Sequence, residues 1–468
     1  MKHFSWKTLI IGLVAGLLLG SAGTFTLVAI KLGFTQGTSS ALSPVQQAYN
    51  NIQQNYYKPV SEKKLVNGAI RGMIATLNDP YSELFTDHDQ TAFNDNISGK
   101  ISGIGATIEK SPTGIRIVSA LPQSPAAKAG IKPRDEIIQI NRHSTVKMSV
   151  EQASALTRGK AGTQVKLVLR RGSTTFKKTI TRAPIQVASV FTKVNPQNRT
   201  LGQITITQFS ENTAKELKKA ILKLEKKKVK KLIIDVRNNP GGMMDQALAA
   251  ANIFVPNGKP LMTMVSRTEG RQTYKANSKY LHGFKSKLPV VVLVDEGSAS
   301  AAEIFAAALQ QSAQVPLVGE KTYGKGVVQT MNSLTKDSEM KITTAKWLTP
   351  KRQSINKKGL TPTYLVKYPA YLNFKAFTNQ RTYQLNDQAT DIKTAQQILS
   401  ALKVSDLTVT SRLDPNTQQA LKDFQSQQHL TITGTLDQAT RIALSQALLK
   451  QAQANDPMQA KALQILSQ

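Results

Sequence analysis

A chain of 468 residues without a single cysteine excludes a disulfide framework and any thiolate metal site. Its formal net charge of +32 raises a nucleic-acid binder as a rival reading, but no segment matches a nucleic-acid-binding pattern. The length calls for several domains rather than one.

The chain opens with an uncharged run of 23 residues, 8–30, long enough to span a bilayer. Lys2, His3 and Lys7 precede it, so the N-terminus is expected to stay cytoplasmic and the rest of the chain to lie outside. A cleaved signal peptide is the alternative. No small-x-small site followed by polar residues is visible, because residues 25–30 continue the apolar run, and an uncleaved anchor is favoured. Residues 35–43, rich in Ser, Thr and Gly, read as a tether. Residues 69–77 then lead into Asn78-Asp79-Pro80-Tyr81-Ser82.

Residues 96–183 have the character of a separate β-rich module. Gly103-Ile104-Gly105-Ala106 precedes an alternating strand over 107–110. Ile115-Arg116-Ile117-Val118, Ser124-Pro125-Ala126-Ala127-Lys128-Ala129-Gly130, Asp135-Glu136-Ile137-Ile138-Gln139-Ile140-Asn141 and a strand over 165–170 follow. Beyond it, residues 215–231 read as a basic helical stretch that includes Lys226-Lys227-Lys228. A solvated helix face is the favoured account, with attraction to anionic wall polymers or lipid headgroups beside it.

Ile233-Ile234-Asp235-Val236-Arg237-Asn238-Asn239-Pro240-Gly241-Gly242 is a buried-strand run ending in a Pro-Gly-Gly turn. The apolar run 289–294 leads into Asp295-Glu296-Gly297-Ser298-Ala299-Ser300-Ala301-Ala302-Glu303, a strand–turn–helix that presents side chains at a helix N-terminus. Ser300 with Glu303 is also a capping box ahead of the apolar helix 304–309, a purely structural reading of the same residues. Gly319-Glu320-Lys321-Thr322-Tyr323-Gly324-Lys325-Gly326 follows, with Gln329 beyond it.

A serine hydroxyl is a weak nucleophile until a neighbour takes its proton. A lysine does so only when neutral. Bringing its pKa from about 10.4 toward 7 costs about 4 kcal/mol, supplied by desolvation or nearby positive charge. The histidines offer no alternative: His3, His88, His143, His282 and His429 are scattered and form neither a triad motif nor an H-E-x-x-H site.

The serine and lysine segments together resemble the carboxyl-terminal processing peptidases, serine–lysine endopeptidases with a G-S-A-S-A stretch 25 residues before a T-[FY]-G-K-G stretch. The resemblance implies that Ser300 is the nucleophile, Ser298 its neighbour, Lys325 the base and Gln329 the group that orients the lysine amine. Asp295 stands where asparagine is frequent and Ala302 where a third serine is frequent. The oxyanion hole is expected from the Ala301 amide and from the D-x-R-x-N-x-G-G-like segment, with the choice between Gly241 and Gly242 open. The D-P-Y-S turn and residues 341–350 and 359–362 agree with the same family, so the likeness runs over about 45–370.

The 96–183 module resembles a PDZ domain. That implies backbone N–H groups of Gly103, Ile104, Gly105 and Ala106 for a peptide's C-terminal carboxylate, and strand-edge pairing with the peptide. Arg134 and Arg142 occupy turn positions where glycine is frequent, so different turns are expected there. Arg158 sits where the family's R-G-x-x-G-[ST] arginine lies, a candidate reporter of ligand binding to the protease body. A solvated arginine is the alternative.

After Pro369 the character changes. Ala420-Leu421-Lys422-Asp423-Phe424-Gln425, Leu430-Thr431-Ile432-Thr433-Gly434-Thr435-Leu436-Asp437 and Thr440 resemble the three-helix peptidoglycan-binding domain. Leu421, Phe424 and Leu444 have helical spacing and belong to its core; Gly434 and Asp437 mark a turn and a helix start. Val409-Thr410-Ser411-Arg412-Leu413 replaces the usual G-x-[FY]-G turn of the first half. A spacer or dimer contact is the alternative role.

The expected architecture is α/β: a crotonase-like α/β protease core with an inserted β-rich PDZ domain, an N-terminal transmembrane helix and a small C-terminal helical domain. Expected boundaries are 1–34 stub and anchor, 35–95 tether and helical region, 96–183 PDZ, 184–370 protease core, 371–384 linker, 385–450 wall-binding-like domain and 451–468 a frayed tail. The function expected is a membrane-anchored extracellular serine endopeptidase that captures C-terminal tails, needs no metal or nucleotide, and meets unfolded protein substrates and peptidoglycan. Nucleic acid is not expected as a partner, and a homo-oligomer is compatible with the sequence. A catalytically silent PDZ and wall-binding scaffold is the second reading, and a non-protease crotonase-like enzyme the third.

Overall fold

The computed structural model describes residues 40–86, 99–121, 123–335 and 338–468. The anchor expected over 8–30 lies outside them; among the described residues no helix is long and apolar enough to cross a membrane.

The chain divides into two units. Among the described residues the first comprises 40–85 with 331–335 and 338–342. Its helices α1 (Ser43–Asn55) and α2 (Glu62–Ala75) are joined by Tyr49, whose hydroxyl donates to Glu62 at 2.7 Å. The D-P-Y-S turn is held by Asp79, which accepts from the Ser82 hydroxyl at 2.5 Å, and it leads into strand β1 (Glu83–Thr86). Lys341 ion-pairs with Glu83 and lies over the Phe85 ring.

The second unit begins with the expected β-rich module. Its elements are β2 (Lys100–Gly103), β3 (Ala106–Ser111), β4 (Gly114–Ala120), α3 (Pro125–Lys128), β5 (Glu136–Ile140), β6 (His143–Ser144), α4 (Val150–Thr157), β7 (Gln164–Arg171), β8 (Thr174–Thr181) and β9 (Ala183–Gln186). One sheet runs β3-β4-β5-β7-β8, leaving β3 at an edge, and β2 pairs β9 where the chain enters and leaves. Ile115 with Ile117 and Leu167 with Leu169 alternate inward, Ile137 and Ile140 flank a register shift in β5, and all six are buried. The turns at Arg134 and Arg142 do not differ from a glycine turn: both arginines adopt left-handed backbone, φ 70° and 73°. The surrounding sheet imposes that conformation on an L side chain at about 1–2 kcal/mol each.

The core follows as β10 (Val190–Val194), β11 (Leu201–Ile206), α5 (Thr213–Lys226), β12 (Lys231–Asp235), α6 (Met244–Asn252), β13 (Pro260–Ser266), β14 (Gly270–Lys275), β15 (Val290–Val294), α7 (Ala301–Ser312), β16 (Leu317–Gly319), β17 (Val327–Thr335), β18 (Ser338–Leu348) and β19 (Tyr364–Leu365). The basic stretch is therefore not one helix through 231: α5 ends at Lys226, and Lys231 opens a strand. Its main sheet runs β10-β11-β12-β15-β16-β19, parallel except for β10. Side chains alternate along each strand, so Leu232, Ile234, Val290, Val292 and Val294 face α5, α6 and α7. Ile233, Val291, Leu293 and Val318 face the other way.

A helical domain follows in α8 (Thr390–Ala401), α9 (Pro415–Gln427) and α10 (Gln438–Ala454), with Leu421, Phe424 and Leu444 in its core. Buried Gln425 takes the Thr433 and Gly434 amides at 2.9 Å each and donates to Thr440. Gln396 does the same one helix earlier, taking Thr410 and Ser411 amides at 3.0 and 3.1 Å and donating to Thr417. Ser411 has φ 70°, Gly434 φ 68°. The segment 409–413 thus forms the same turn as the second half, with serine in the glycine position.

The expected frayed tail is instead structural. Helix α11 (Pro457–Ser467) packs Met458, Ala462 and Leu466 against Ile233, Val291, Leu293 and Val318, covering the sheet's second face. These three side chains recur every four residues, which makes one apolar stripe on a helix.

Candidate active site

Three of the parallel strands end at the site, the edge where open α/β sheets carry ligands. β12 runs into the Pro-Gly-Gly turn, β15 into the serine turn, and β16 into the lysine segment. Ser300 leaves β15 with φ 53° and ψ −113°, a conformation that costs a non-glycine residue about 1–3 kcal/mol. Gly241 lies directly over it. A Cβ on Gly241 would fall 2.8 Å from both the Ser300 Cβ and the Ala299 carbonyl, and 3.0 Å from the Ala301 nitrogen.

The two serines of the motif have different employment. Ser298 is fully buried, donates to the Val236 carbonyl at 2.8 Å and accepts the Asp295 amide at 3.0 Å. It staples the serine turn to the glycine turn. Asp295 does likewise through Oδ1, which accepts the Asn238 and Gly297 amides at 2.8 and 3.0 Å.

Glu303, fully buried, joins the serine and lysine segments. Its Oε2 accepts the Ser300 amide at 2.8 Å and the Lys325 amide at 2.9 Å; its Oε1 accepts the Gly324 amide at 2.8 Å and the Thr322 hydroxyl at 2.5 Å. Burial pushes its carboxyl above the usual carboxylate range, and these four donors oppose that without cancelling it. Glu303 thus does more than cap a helix: the same carboxylate that caps α7 fixes the lysine backbone. The Lys325 carbonyl accepts from the Trp347 indole at 2.9 Å, which holds the residue from its other side. Gln329, on β17, donates its amide to Thr343 Oγ1 at 3.3 Å.

Of the two glycine amides, that of Gly241 is spent on Asn239 Oδ1 at 2.9 Å. Gly242 packs on Phe209, whose amide and carbonyl bond the Gly241 carbonyl and the Met243 amide. Arg237, just before the turn, is nine-tenths buried. It holds Asp235 through Nε at 2.9 Å and Nη2 at 2.7 Å, and Asp456 through Nη1 at 2.7 Å. Burial works against its charge, yet the two carboxylates hold the guanidinium above its ordinary value.

In the β-rich module Gly103 closes β2, Ile104 is buried, Gly105 has φ 73° and Ala106 opens edge strand β3. The Ile104 carbonyl accepts the Ala126 amide at 2.7 Å, and the Gly105 carbonyl accepts the Leu121 amide at 2.9 Å. Because a trans peptide sets N–H opposite C=O, the Gly105 and Ala106 amides turn away from α3 and toward the free edge. Arg158 caps α4 and is exposed, with its backbone beside Gly103. The arginine built into this region is Arg182, which no sequence motif marks. It is buried and donates to the Leu156, Thr157 and Gln164 carbonyls and to Thr163 Oγ1 at 2.9–3.2 Å. Among the described residues no cluster of side chains could hold a metal.

Comparison with known proteins gives the family and its domains. Residues 200–366 match the model of Peptidase family S41, 116–171 a PDZ domain, 388–444 a putative peptidoglycan binding domain, and 20–89 the N-terminal domain of the activating protease CtpB. The carboxy-terminal processing protease CtpA of Bacillus subtilis is 42% identical over 91% of this chain and 90% of its own length. The chain belongs to peptidase family S41.

A probable CtpA-like serine protease of Staphylococcus saprophyticus is 35% identical over 97% of this chain and 91% of its own. Among solved structures, the photosystem II D1 C-terminal processing protease aligns with 27% identity over 70% of this chain and 94% of its own, TM-score 0.43. This S41 peptidase is a serine-type, C-terminal processing protease with a PDZ domain and a peptidoglycan-binding domain. The S41 match ends at residue 366, so α11 lies beyond it.

Proposed function

We propose that Ser300 and Lys325 are the catalytic dyad of an endopeptidase held at the outer face of the cell membrane by residues 8–30. The observation that carries the dyad is the single Glu303 oxygen bonded to the backbone amides of both residues. Ser300 Oγ attacks the peptide carbonyl while the neutral Lys325 amine takes its proton. The Gly242 and Ala301 amides hold the oxyanion; the Gly241 amide is already engaged by Asn239, which supports Gly242 as the glycine donor. The lysine returns the proton to the departing amine, and the acyl-enzyme is released by water under the same base. Gln329 donates to Thr343, so its carbonyl oxygen is the atom left to receive an N–H from the lysine amine.

The PDZ domain would take a substrate's C-terminal carboxylate on the Gly105 and Ala106 amides and pair its chain with β3, raising the concentration of the scissile segment near Ser300. An anchor and a peptidoglycan-binding domain on one chain suit a cell whose thick wall faces a single membrane.

The test is cleavage of casein by residues 44–468 and by Ser300→Ala, Lys325→Ala and Ser298→Ala. The dyad predicts no turnover in the first two and a less stable but active Ser298→Ala. No wild-type turnover, even with apolar C-terminal peptides added, would leave a PDZ and wall-binding scaffold.

A further inference from the structure

The peptidoglycan-binding domain is spliced into the protease rather than appended to it. The chain leaves the core sheet at its last strand, β19, passes through α8, α9 and α10, and returns as α11 to cover the sheet's second face. Both ends of α11 are tied to one strand and its extension. At its C-terminal end the Leu466 carbonyl accepts from Lys231, the first residue of β12. At its N-terminal end the cap Asp456 divides its oxygens: Oδ1 takes the Met458 and Gln459 amides at 3.0 Å each, and Oδ2 takes Arg237.

Arg237 is the residue before Asn238, and the Asn238 amide is bonded to Asp295 in the serine turn. Tyr368, over which the Arg237 guanidinium lies, donates its hydroxyl to the other Asp295 oxygen at 3.1 Å. The ion pair of Asp456 with Arg237, the chain step from Arg237 to Asn238 and the contact of Arg237 with the Tyr368 ring thus connect Asp456 to the two turns that meet at Ser300. A cavity of about 310 Å³ beside it is lined by Asp235, Arg237, Tyr368 and Asp456, and by Leu449 and Ala452 of α10. The last helix of the peptidoglycan-binding domain thus borders the same pair.

We propose that Asp456 is a positioning residue of the protease, holding the glycine turn in register with Ser300 through Arg237. The kinetic consequence rests on the serine–lysine reading; the structural one does not. With Asp456 neutral, Arg237 keeps Asp235 but loses the partner on its opposite edge. The guanidinium is then free to tilt, and the turn that carries Gly242 tilts with it. Geometry at that turn governs turnover more than substrate capture.

The experiment compares Asp456→Asn with Leu466→Ala in the otherwise intact chain. Asparagine caps a helix as well as aspartate does, so Asp456→Asn removes the ion pair and spares α11. Two quantities are read: kcat and KM on a peptide substrate, and amide hydrogen exchange in residues 236–243 and 295–299. The expected result is a kcat about tenfold lower with KM unchanged, and faster exchange in both segments. Leu466→Ala lowers the melting temperature without either effect. Wild-type turnover and exchange in Asp456→Asn would overturn the proposal, as would the same kcat loss in Leu466→Ala. If the wild type does not cleave, the dyad reading fails while amide exchange still decides whether Asp456 holds the turn.

Discussion

The backbone amides of Ser300 and Lys325 donate to the same oxygen atom, Glu303 Oε2. In the proposed dyad the nucleophile and its base need their separation held constant while both side chains work, and one buried carboxylate would set it. The carboxylate belongs to the helix that the serine itself begins, so the serine turn, the helix and the lysine segment move as one piece.

Glu303→Gln tests that role. The amide has nearly the shape of the carboxylate but presents an NH2 where two donors point, leaving buried donors without an acceptor at about 1–3 kcal/mol each. A fall in kcat of about 100-fold is expected, with KM nearly constant and a lower melting temperature. Wild-type turnover in this variant would show that the shared oxygen is incidental.

Acid pH is a second handle on the same group. Burial raises the Glu303 carboxyl above its ordinary 4.5. The folded protein therefore holds this proton more tightly than the unfolded chain does. Stability from this group is fullest below the ordinary carboxylate value and is lost as pH rises through the folded value. Activity has the opposite sign, because only the carboxylate accepts from all four donors. Cleavage is expected to fall on acidification above pH 4.5 while the circular dichroism stays native. Simultaneous loss of turnover and fold would contradict it.

Gly241→Ala places a methyl 2.8 Å from the Ser300 Cβ at a backbone φ of 107°. The glycine turn and the serine turn must separate to admit it, and proteolysis is expected to drop by about 100-fold or more. Gly242→Ala is harsher: its methyl would fall 2.2 Å from the Phe209 carbonyl, and soluble folded protein is not expected. Expression and melting curves of the pair, beside casein cleavage by Gly241→Ala, separate the two effects.

Arg182→Lys addresses the PDZ domain. A lysine ammonium has no planar fork with which to reach three carbonyls and a hydroxyl together. The loss expected is about 2–4 kcal/mol of local stability, read as faster limited proteolysis within residues 99–186 and weaker binding of C-terminal peptides. Arg158→Lys, at an exposed position, is expected to leave that stability unchanged. Equal protease resistance in Arg182→Lys and the wild type would refute the assignment.

What the sequence made legible was local. Runs such as 289–294 announce a strand, glycines announce turns, and Ser300 to Glu303 announces a helix start, each within a few residues of the signal. The peptidoglycan-binding domain also carried a readable repeat, Thr410-Ser411-Arg412-Leu413-Asp414 beside Thr433-Gly434-Thr435-Leu436-Asp437, that was masked by serine in place of glycine. The pairings that complete the site were not local. Arg237 finds Asp456 only after the sheet, the helical domain and α11 are all placed, and Glu303 finds Lys325 only once β16 is laid beside β15. The stripe of Met458, Ala462 and Leu466 was present, but three residues at the end of an Ala/Gln-rich segment do not say which surface they cover. Arg134 and Arg142 show the complementary case, in which tertiary packing overrides a local preference for glycine.

Because α11 follows the peptidoglycan-binding domain in the chain, the strands at the heart of the protease stay open on one face until that domain has been synthesised. Ile233, Val291, Leu293 and Val318 wait for partners more than a hundred residues downstream. A nascent or prematurely terminated chain is thus a protease without its second wall, and the order of synthesis itself delays the appearance of a competent enzyme until the peptidoglycan-binding domain has been made.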